Sequence, residues 1–414
     1  MAGEIRVLFV SNGYGEDNVA AHIAGELQRK YPTLLVSGFP TVGSGRFYTE
    51  NGIPLAGGGI RMPSEGFVRS AKDLLRDMSR GLLVKTFRLG RNLRAAAGNA
   101  DFLVVTGDPY LLLFTSLFTR TGRSRKVFVG TLQSEWYGSR RPFKEHYSVV
   151  ERVWLKWFCR LIITRDMKTA QYLKSRGLGF VVSFGNPMMD CLVIRTQRLL
   201  PEDRTVIGIL PGSKREAYDN FGKITETAAQ LVRSGGERRN YLFAVALSPN
   251  LDIEELVTRH RLSKVGAYER AQVFTVYRTE KSGLDPGIEL LISTGCFGNI
   301  ISESDAVIGL SGTGNEQAAG LGKPVFGFWG EGPQITKKFM EAQKRLLGPS
   351  LFIFPPQPSA IARKIDEVLD DTGLLKRIEE NGRLRMGQKG SVESIAGKIG
   401  SHFKSIVPSF PPCH

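Results

Sequence analysis

The chain has 414 residues, too many for one ordinary core and enough for two domains of common size. Its 42% hydrophobic and 23% charged residues exclude a disordered chain, and no apolar run approaches the roughly 20 residues of a membrane-spanning helix. Lys plus Arg number 56 against 40 Asp plus Glu, a formal charge of +16, which points to an anionic partner: nucleic acid, anionic lipid or a phosphorylated substrate.

The N-terminus enters an apolar strand at once and lacks the charged, apolar and small-residue regions of a secretion signal. A cytoplasmic location is therefore expected, with membrane contact only from the surface. Cys159, Cys191, Cys296 and Cys413 are widely spaced and form no CxxC pair, as expected of reduced thiols. Strands are predicted at 5–10, 34–38, 102–106, 127–129, 161–164 and 181–183, with helical stretches such as 18–30 and 168–176 between them. The pattern pauses at 186–204, where Pro187 and Pro201 bracket a polar stretch. It restarts with strands at 205–210, 241–247, 273–277, 306–310, 325–328 and 351–354. Helices around 358–370 and 373–385 follow the break Pro355-Pro356-Gln357-Pro358. Apolar strands alternating with helices predict parallel sheets covered on both faces. The predicted fold class is α/β, with two Rossmann-like domains facing each other across a cleft. Their expected bounds are 1–187 and 205–385, with a linker at 188–204 and a C-terminal helix and tail at 386–414.

In open α/β sheets ligands sit beyond the carboxyl ends of the strands, so the loops that follow strands matter most. The first is Ser11-Asn12-Gly13-Tyr14-Gly15-Glu16-Asp17-Asn18, which opens a helix. Gly13 and Gly15 allow a sharp turn, and the helix N-terminus offers N–H groups, although Glu16 and Asp17 oppose phosphate binding there. A plain capped turn accounts for the same residues. The second loop is Thr106-Gly107-Asp108-Pro109-Tyr110. Asp108 at a strand tip is placed to take a proton from a hydroxyl, and it also reads as a helix N-cap followed by proline.

The third loop is Leu210-Pro211-Gly212-Ser213-Lys214-Arg215-Glu216. Gly212 and the Ser213 hydroxyl can approach a diphosphate, and Lys214 or Arg215 can neutralise it. The fourth is Leu310-Ser311-Gly312-Thr313-Gly314-Asn315-Glu316-Gln317, again strand to helix, with small residues, N–H donors for phosphate, and Glu316 able to accept both hydroxyls of a ribose. Together the two loops predict a cradle for a nucleotide diphosphate.

In this order the loops resemble the lipid-A-disaccharide synthase family of glycosyltransferases, as a divergent, related branch. The family's Leu-Pro-Gly-Ser-Arg is matched by residues 210–214, and its Ser-Asp-Ala strand, Ser-Gly-Thr and glutamate by Ser304-Asp305-Ala306, Ser311-Gly312-Thr313 and Glu316. A junction segment is matched by Gly185-Asn186-Pro187-Met188-Met189-Asp190, and an aromatic, Arg-containing segment is echoed by Trp136-Tyr137-Gly138-Ser139-Arg140. The resemblance implies the two-domain GT-B architecture and a UDP-linked sugar donor, with no metal and no further cofactor. It implies that Gly212, Ser213, Lys214, Ser311, Gly312, Thr313, Glu316 and Gln317 hold UDP in the second domain. Gly13, Tyr14, Gly15, Glu16 and Asp108 would face the acceptor in the first, with Asp108 or Glu16 as the base. The chain departs from the family in its first domain: Gly15-Glu16 is followed by Asp17-Asn18-Val19 rather than Ser-Gly-Asp, and residues 107–110 carry one carboxylate in a shifted place. Lys214 replaces an arginine, keeping charge and losing the bidentate fork. The donor half is kept and the acceptor half rewritten.

Residues 67–97 read as helical with a basic face (Arg69, Lys72, Arg76, Arg80, Lys85, Arg88) interleaved with apolar residues, as in helices that lie on anionic membranes. The apolar run 111–118 reads either as a second such patch or as the buried face of a domain helix. The expected function is transfer of a sugar, with inversion, from a UDP-sugar to a lipid-linked acceptor at an anionic membrane surface. No nucleic-acid motif is present, so none is expected as a partner. A UDP-sugar epimerase, or a non-catalytic protein that binds sugar nucleotides or lipid, is the alternative.

Overall fold

The computed structural model describes residues 4–57, 82–138, 146–235, 238–280, 287–332, 335–407 and 410. It divides into two units, between Cys191 and Leu192 and again between Met386 and Gly387, so that the chain after Met386 rejoins the first unit.

In the first unit the described elements are β1 (Arg6–Ser11), α1 (Tyr14–Lys30), β2 (Leu35–Pro40), α2 (Arg46–Glu50), α3 (Leu82–Ala97), β3 (Phe102–Gly107), α4 (Pro109–Phe118), β4 (Lys126–Gly130), α5 (Val149–Phe158), β5 (Leu161–Thr164), α6 (Met167–Ser175) and β6 (Val181–Ser183). The strands form one parallel sheet in the order β2-β1-β3-β4-β5-β6. Successive strand residues point to opposite faces, and both faces are covered. Val7 and Phe9 accordingly enter one core with Phe102 and Val104, while Leu8 and Val10 enter the other with Leu103 and Val105. This is why the strands read as continuous apolar runs rather than alternating ones.

The second unit contains β7 (Thr205–Leu210), α7 (Glu216–Gly235), β8 (Tyr241–Ala246), α8 (Ile253–Arg259), β9 (Leu262–Ala267), β10 (Thr275–Thr279), β11 (Glu289–Ser293), α9 (Phe297–Glu303), β12 (Ala306–Gly309), α10 (Thr313–Gly320), β13 (Val325–Phe328), α11 (Lys337–Leu347), β14 (Leu351–Phe354), α12 (Pro358–Asp370) and α13 (Thr372–Met386). The sheet order is β14-β13-β12-β7-β8-β11-β10-β9. It is parallel from β14 to β11, and β10 and β9 extend it antiparallel. The strand expected at 273–277 is β10, so it lies in this antiparallel extension. β9 and β11 were not among the predicted strands: β9 is largely exposed and polar, and β11 follows Gly287 as a short run.

The segment 188–204 is not a free spacer. Asp190 closes onto the start of the C-terminal helix α14 (Ser391–Lys404), accepting from Gly390 N and Val392 N at 2.7 Å each. That helix completes the first core: Ile395, Ile399 and Phe403 are buried, and Phe403 stacks on Phe102 at 3.8 Å between centroids. A tail of this kind stays ordered because it buries an apolar face, which offsets the entropy of fixing it.

Candidate functional site

Each sheet has a place where the order of connections reverses, and ligands of open α/β sheets bind at the carboxyl ends of the strands there. In the first unit that point lies between β1 and β3, and in the second between β7 and β12. The loops after these four strands are the four singled out from the sequence.

In the first unit, α1 begins at Tyr14 rather than at residue 18, so Glu16 and Asp17 occupy its first turn. Carboxylates are favoured at that end of a helix. The Glu16 side chain folds back over Gly13, where φ is +125° and a Cβ would lie 2.8 Å from Glu16 Oε2. A non-glycine residue at 13 would therefore be strained and would collide with the carboxylate. Burial, with Asp108 and Asp17 nearby, pushes the Glu16 carboxyl up to about 7. Asp17 is likewise pushed up to about 7 by burial. It accepts the Ser11 hydroxyl at 2.6 Å, and Ser11 Oγ lies 2.7 Å from the Tyr48 hydroxyl.

Asp108 is the N-cap of α4, accepting from Leu111 N at 2.8 Å, with Pro109 at the first helical position. Burial holds it above the ordinary carboxylate range, and Asn12 Nδ2 lies 3.5 Å from its Oδ2. The cap uses Oδ1, and Oδ2 faces the Asn12 amide. Tyr14 is exposed and packs edge-to-face on Phe47 at 5.6 Å. Gly15 sits under Met188 of the 186–190 segment. The first unit thus brings Gly13, Tyr14, Gly15, Glu16 and Asp108 to the ends of two paired strands.

In the second unit the loops after β7 and β12 run side by side. Leu310 N donates to Leu210 O at 2.8 Å, and a Cβ on Gly212, at φ +109°, would lie 3.1 Å from Leu310 O. The turn requires glycine both for its conformation and for this close approach. Ser213 and Thr313 are exposed, while Lys214, Ser311, Gly312 and Glu316 are half-buried. Gln317, expected beside the nucleotide, is buried. The Ser311-Gly312 turn is held from behind by Gln343 of α11, whose Nε2 donates to Ser311 O and Gly312 O at 2.9 Å each. Gln343 Oε1 accepts from Asn315 Nδ2 at 2.9 Å, and the same amide nitrogen reaches Gly309 O at 3.1 Å. The first turn of a helix leaves backbone N–H groups without intrahelical partners, so the start of α10 can donate to an anion.

Ser11, Asn12, Asp17 and Tyr48 in the first unit, and Asn315 and Gln343 in the second, were not among the expected site residues. No local signal marks Tyr48 or Gln343, whose partners lie 37 and 28 positions away. Trp136 and Tyr137 form a short turn after β4, with Lys168 Nζ 4.3 Å from the Trp136 ring. Ser139 and Arg140 lie outside the described residues, as do Arg69, Lys72, Arg76 and Arg80 of the expected basic helix.

No protein-family model and no curated protein matches the sequence. Solved structures do match in fold. The calicheamicin glycosyltransferase CalG4 aligns with a TM-score of 0.63 at 13% identity, over 98% of this chain and 100% of that one. A UDP-N-acetylglucosamine 2-epimerase aligns at 0.56 and 15%, over 100% of both chains. MurG of Acinetobacter baumannii aligns at 0.56 and 14%, over 96% and 99%. The chain therefore has the two-domain α/β fold of the GT-B class.

Proposed function

We propose that the chain is a glycosyltransferase that moves a sugar from a UDP-sugar to a lipid-linked or other membrane-associated acceptor, as its resemblance to the lipid-A-disaccharide synthases implies. The observation that carries this reading is that both pairs of singled-out loops fall at the reversal points of their sheets, one pair with only carboxylates as charged groups and the other with Lys214 and Arg215 beside Glu216 and Glu316. The acidic pair suits a proton acceptor and the other a diphosphate.

In this reading the acceptor hydroxyl loses its proton to Asp108 or Glu16 as its oxygen attacks the anomeric carbon. The bond from that carbon to the UDP oxygen breaks, and UDP leaves with the electron pair. Attack opposite the leaving group inverts the anomeric centre. Lys214 and the N-terminus of α10 stabilise the charge developing on the diphosphate, Ser213, Ser311 and Thr313 hold its oxygens, and Glu316 accepts the ribose hydroxyls. No metal or other cofactor is invoked.

An anionic membrane surface is the second proposed partner, with the protein peripheral on the cytoplasmic face. Lys85, Arg88, Arg91 and Arg94 on α3 are exposed, and α3 carries no acidic residue. Among the described residues no helix is long and apolar enough to cross a membrane.

A second reading, a UDP-sugar epimerase, is favoured by the epimerase that shares the fold over the full length of both chains. Binding of sugar nucleotide without turnover is the non-catalytic version of either. The test is thermal stability with UDP, UDP-sugars and unrelated nucleotides, followed by UDP release with and without lipid acceptors. A uridine-specific rise in melting temperature with acceptor-dependent UDP release supports transfer. Interconversion of the sugar nucleotide without acceptor supports the epimerase. No shift with any uridine nucleotide overturns both.

A further inference from the structure

Helix α5 buries Leu155 and turns Glu151 inward as the third residue of a capping box with Ser148, yet leaves apolar side chains on its outer face. Its acidic residue, Glu151, is 0% exposed and accepts from Gln133 Nε2 at 2.9 Å and Ser148 N at 2.7 Å. Its outward face instead carries Val149 (67% exposed), Val150, Val153 and Trp157 (66% exposed). These positions are spaced i, i+1, i+4 and i+8, so they share one side of the helix. On α4, Tyr110 and Leu117 are exposed in the same manner, Leu117 at 70%. The run 111–118 is thus buried only in part: Leu111, Leu112 and Thr115 face the core and Leu117 does not.

Ring contacts join the neighbouring helices in two places. Tyr110 packs edge-to-face on Trp154 at 5.4 Å, joining α4 to α5. Phe114 lies 5.0 Å from Phe118, which meets the exposed Phe87 of α3 at 6.1 Å. Exposed apolar residues gathered on three helices that pack in sequence, α3 on α4 and α4 on α5, mark a surface with an occupant.

The charges identify which one. Helices α3, α4 and α5 and the 119–126 segment contain a single acidic residue, the buried Glu151. Exposed around these apolar residues are Lys85, Arg88, Arg91, Arg120 and Lys156. A second copy presenting the same face would bring these cations against one another. An anionic bilayer pairs with them, and accepts valine, leucine and tryptophan at the level of its headgroups.

We propose that the outward face of α5, continued through α4 to Phe87 of α3, docks on an anionic lipid bilayer. The inference rests on the membrane part of the reading above and not on the donor chemistry. It moves the apolar contact from the predicted basic helix to α5.

The test is co-sedimentation of the full chain with vesicles of mixed phosphatidylglycerol and phosphatidylcholine, and with phosphatidylcholine alone. Wild type is expected to pellet with the mixed vesicles and to be released by salt. The double variant Val150→Ser, Trp157→Ser is expected to bind at least tenfold more weakly with an unchanged melting temperature. Leu384→Ser, at an exposed position of the second unit, is expected to bind as wild type. Unchanged binding by the double variant overturns the α5 face while leaving the membrane reading to α3. No vesicle binding by wild type overturns both. A dimer that the double variant abolishes, without vesicle binding, makes the face a self-interface and overturns the proposal.

Discussion

Ser11 donates its hydroxyl hydrogen to Asp17 Oδ1 at 2.6 Å, and both residues are buried where β1 passes into α1. With that hydrogen committed, Tyr48 donates to Ser11, so a chain of three side chains fixes the turn that carries Glu16. The acid pair at 16–17 is therefore built into the fold rather than displayed on it, and the pH dependence of stability follows from that burial.

Glu16 and Asp17 hold their protons to about pH 7 in the folded chain, against about 4 in the unfolded one. Between these values the folded state binds more protons, so stability falls as pH rises from about 4 to about 7. At that limit each group contributes on the order of 1 kcal/mol per pH unit. The melting temperature of wild type is expected to fall across this window, and Glu16→Gln to flatten the slope. An identical slope in the variant would show that Glu16 does not titrate there.

Asp108→Asn separates the two roles of Asp108. Asparagine caps a helix as well as aspartate, so the melting temperature should change little. Turnover should fall by about 10²–10⁴, the usual contribution of a positioned base, with the UDP-induced thermal shift intact. If Glu16 is the base instead, Asp108→Asn keeps substantial activity, and the wild-type rate rises with pH through about 7.

Glu316→Ala tests the ribose role. Loss of hydrogen bonds to a charged group costs about 1.5–3 kcal/mol, or about a ten- to hundredfold weaker UDP affinity by calorimetry. Unchanged affinity would remove Glu316 from the nucleotide site.

Gln343→Leu leaves Ser311 O, Gly312 O and the Asn315 amide without their shared partner. Ser311 and Gly312 are half-buried and Asn315 keeps its bond to Gly309 O, so the loss is that of ordinary hydrogen bonds, about 1 kcal/mol each. A lowered melting temperature together with weaker UDP binding is expected, because the turn presenting Gly312 and Thr313 loses its support. Loss of stability alone, with UDP affinity kept, would show that the turn is not part of the nucleotide site.

How much of this was legible in the chain depends on the range of the forces involved. The strands at 161–164 and 325–328 were readable because a strand covered on both faces must be apolar throughout, and the half-buried edge strands at 181–183 and 351–354 were readable from their short β-branched and aromatic runs. The loops at 12–16, 107–110, 211–215 and 310–313 were readable because glycine, proline and capping residues act on their immediate neighbours. The start of α1 at Tyr14 was missed because Glu16 and Asp17 looked like loop polarity, whereas they are buried first-turn carboxylates. β9 was missed because its exposed residues carry no strand periodicity.

The sequence by itself determined the alternation of strands and helices, the two-unit order, and the residue types at the four strand ends, since all of these follow from side chains acting over a few positions. Only the tertiary structure decided that Asp190 ties residue 390 back to the first unit, that Tyr48 and Gln343 support the two sites, and that α5 turns valine and tryptophan outward while burying its glutamate. Those outcomes depend on which distant segments pack together, and such contacts leave no period in the chain to be read.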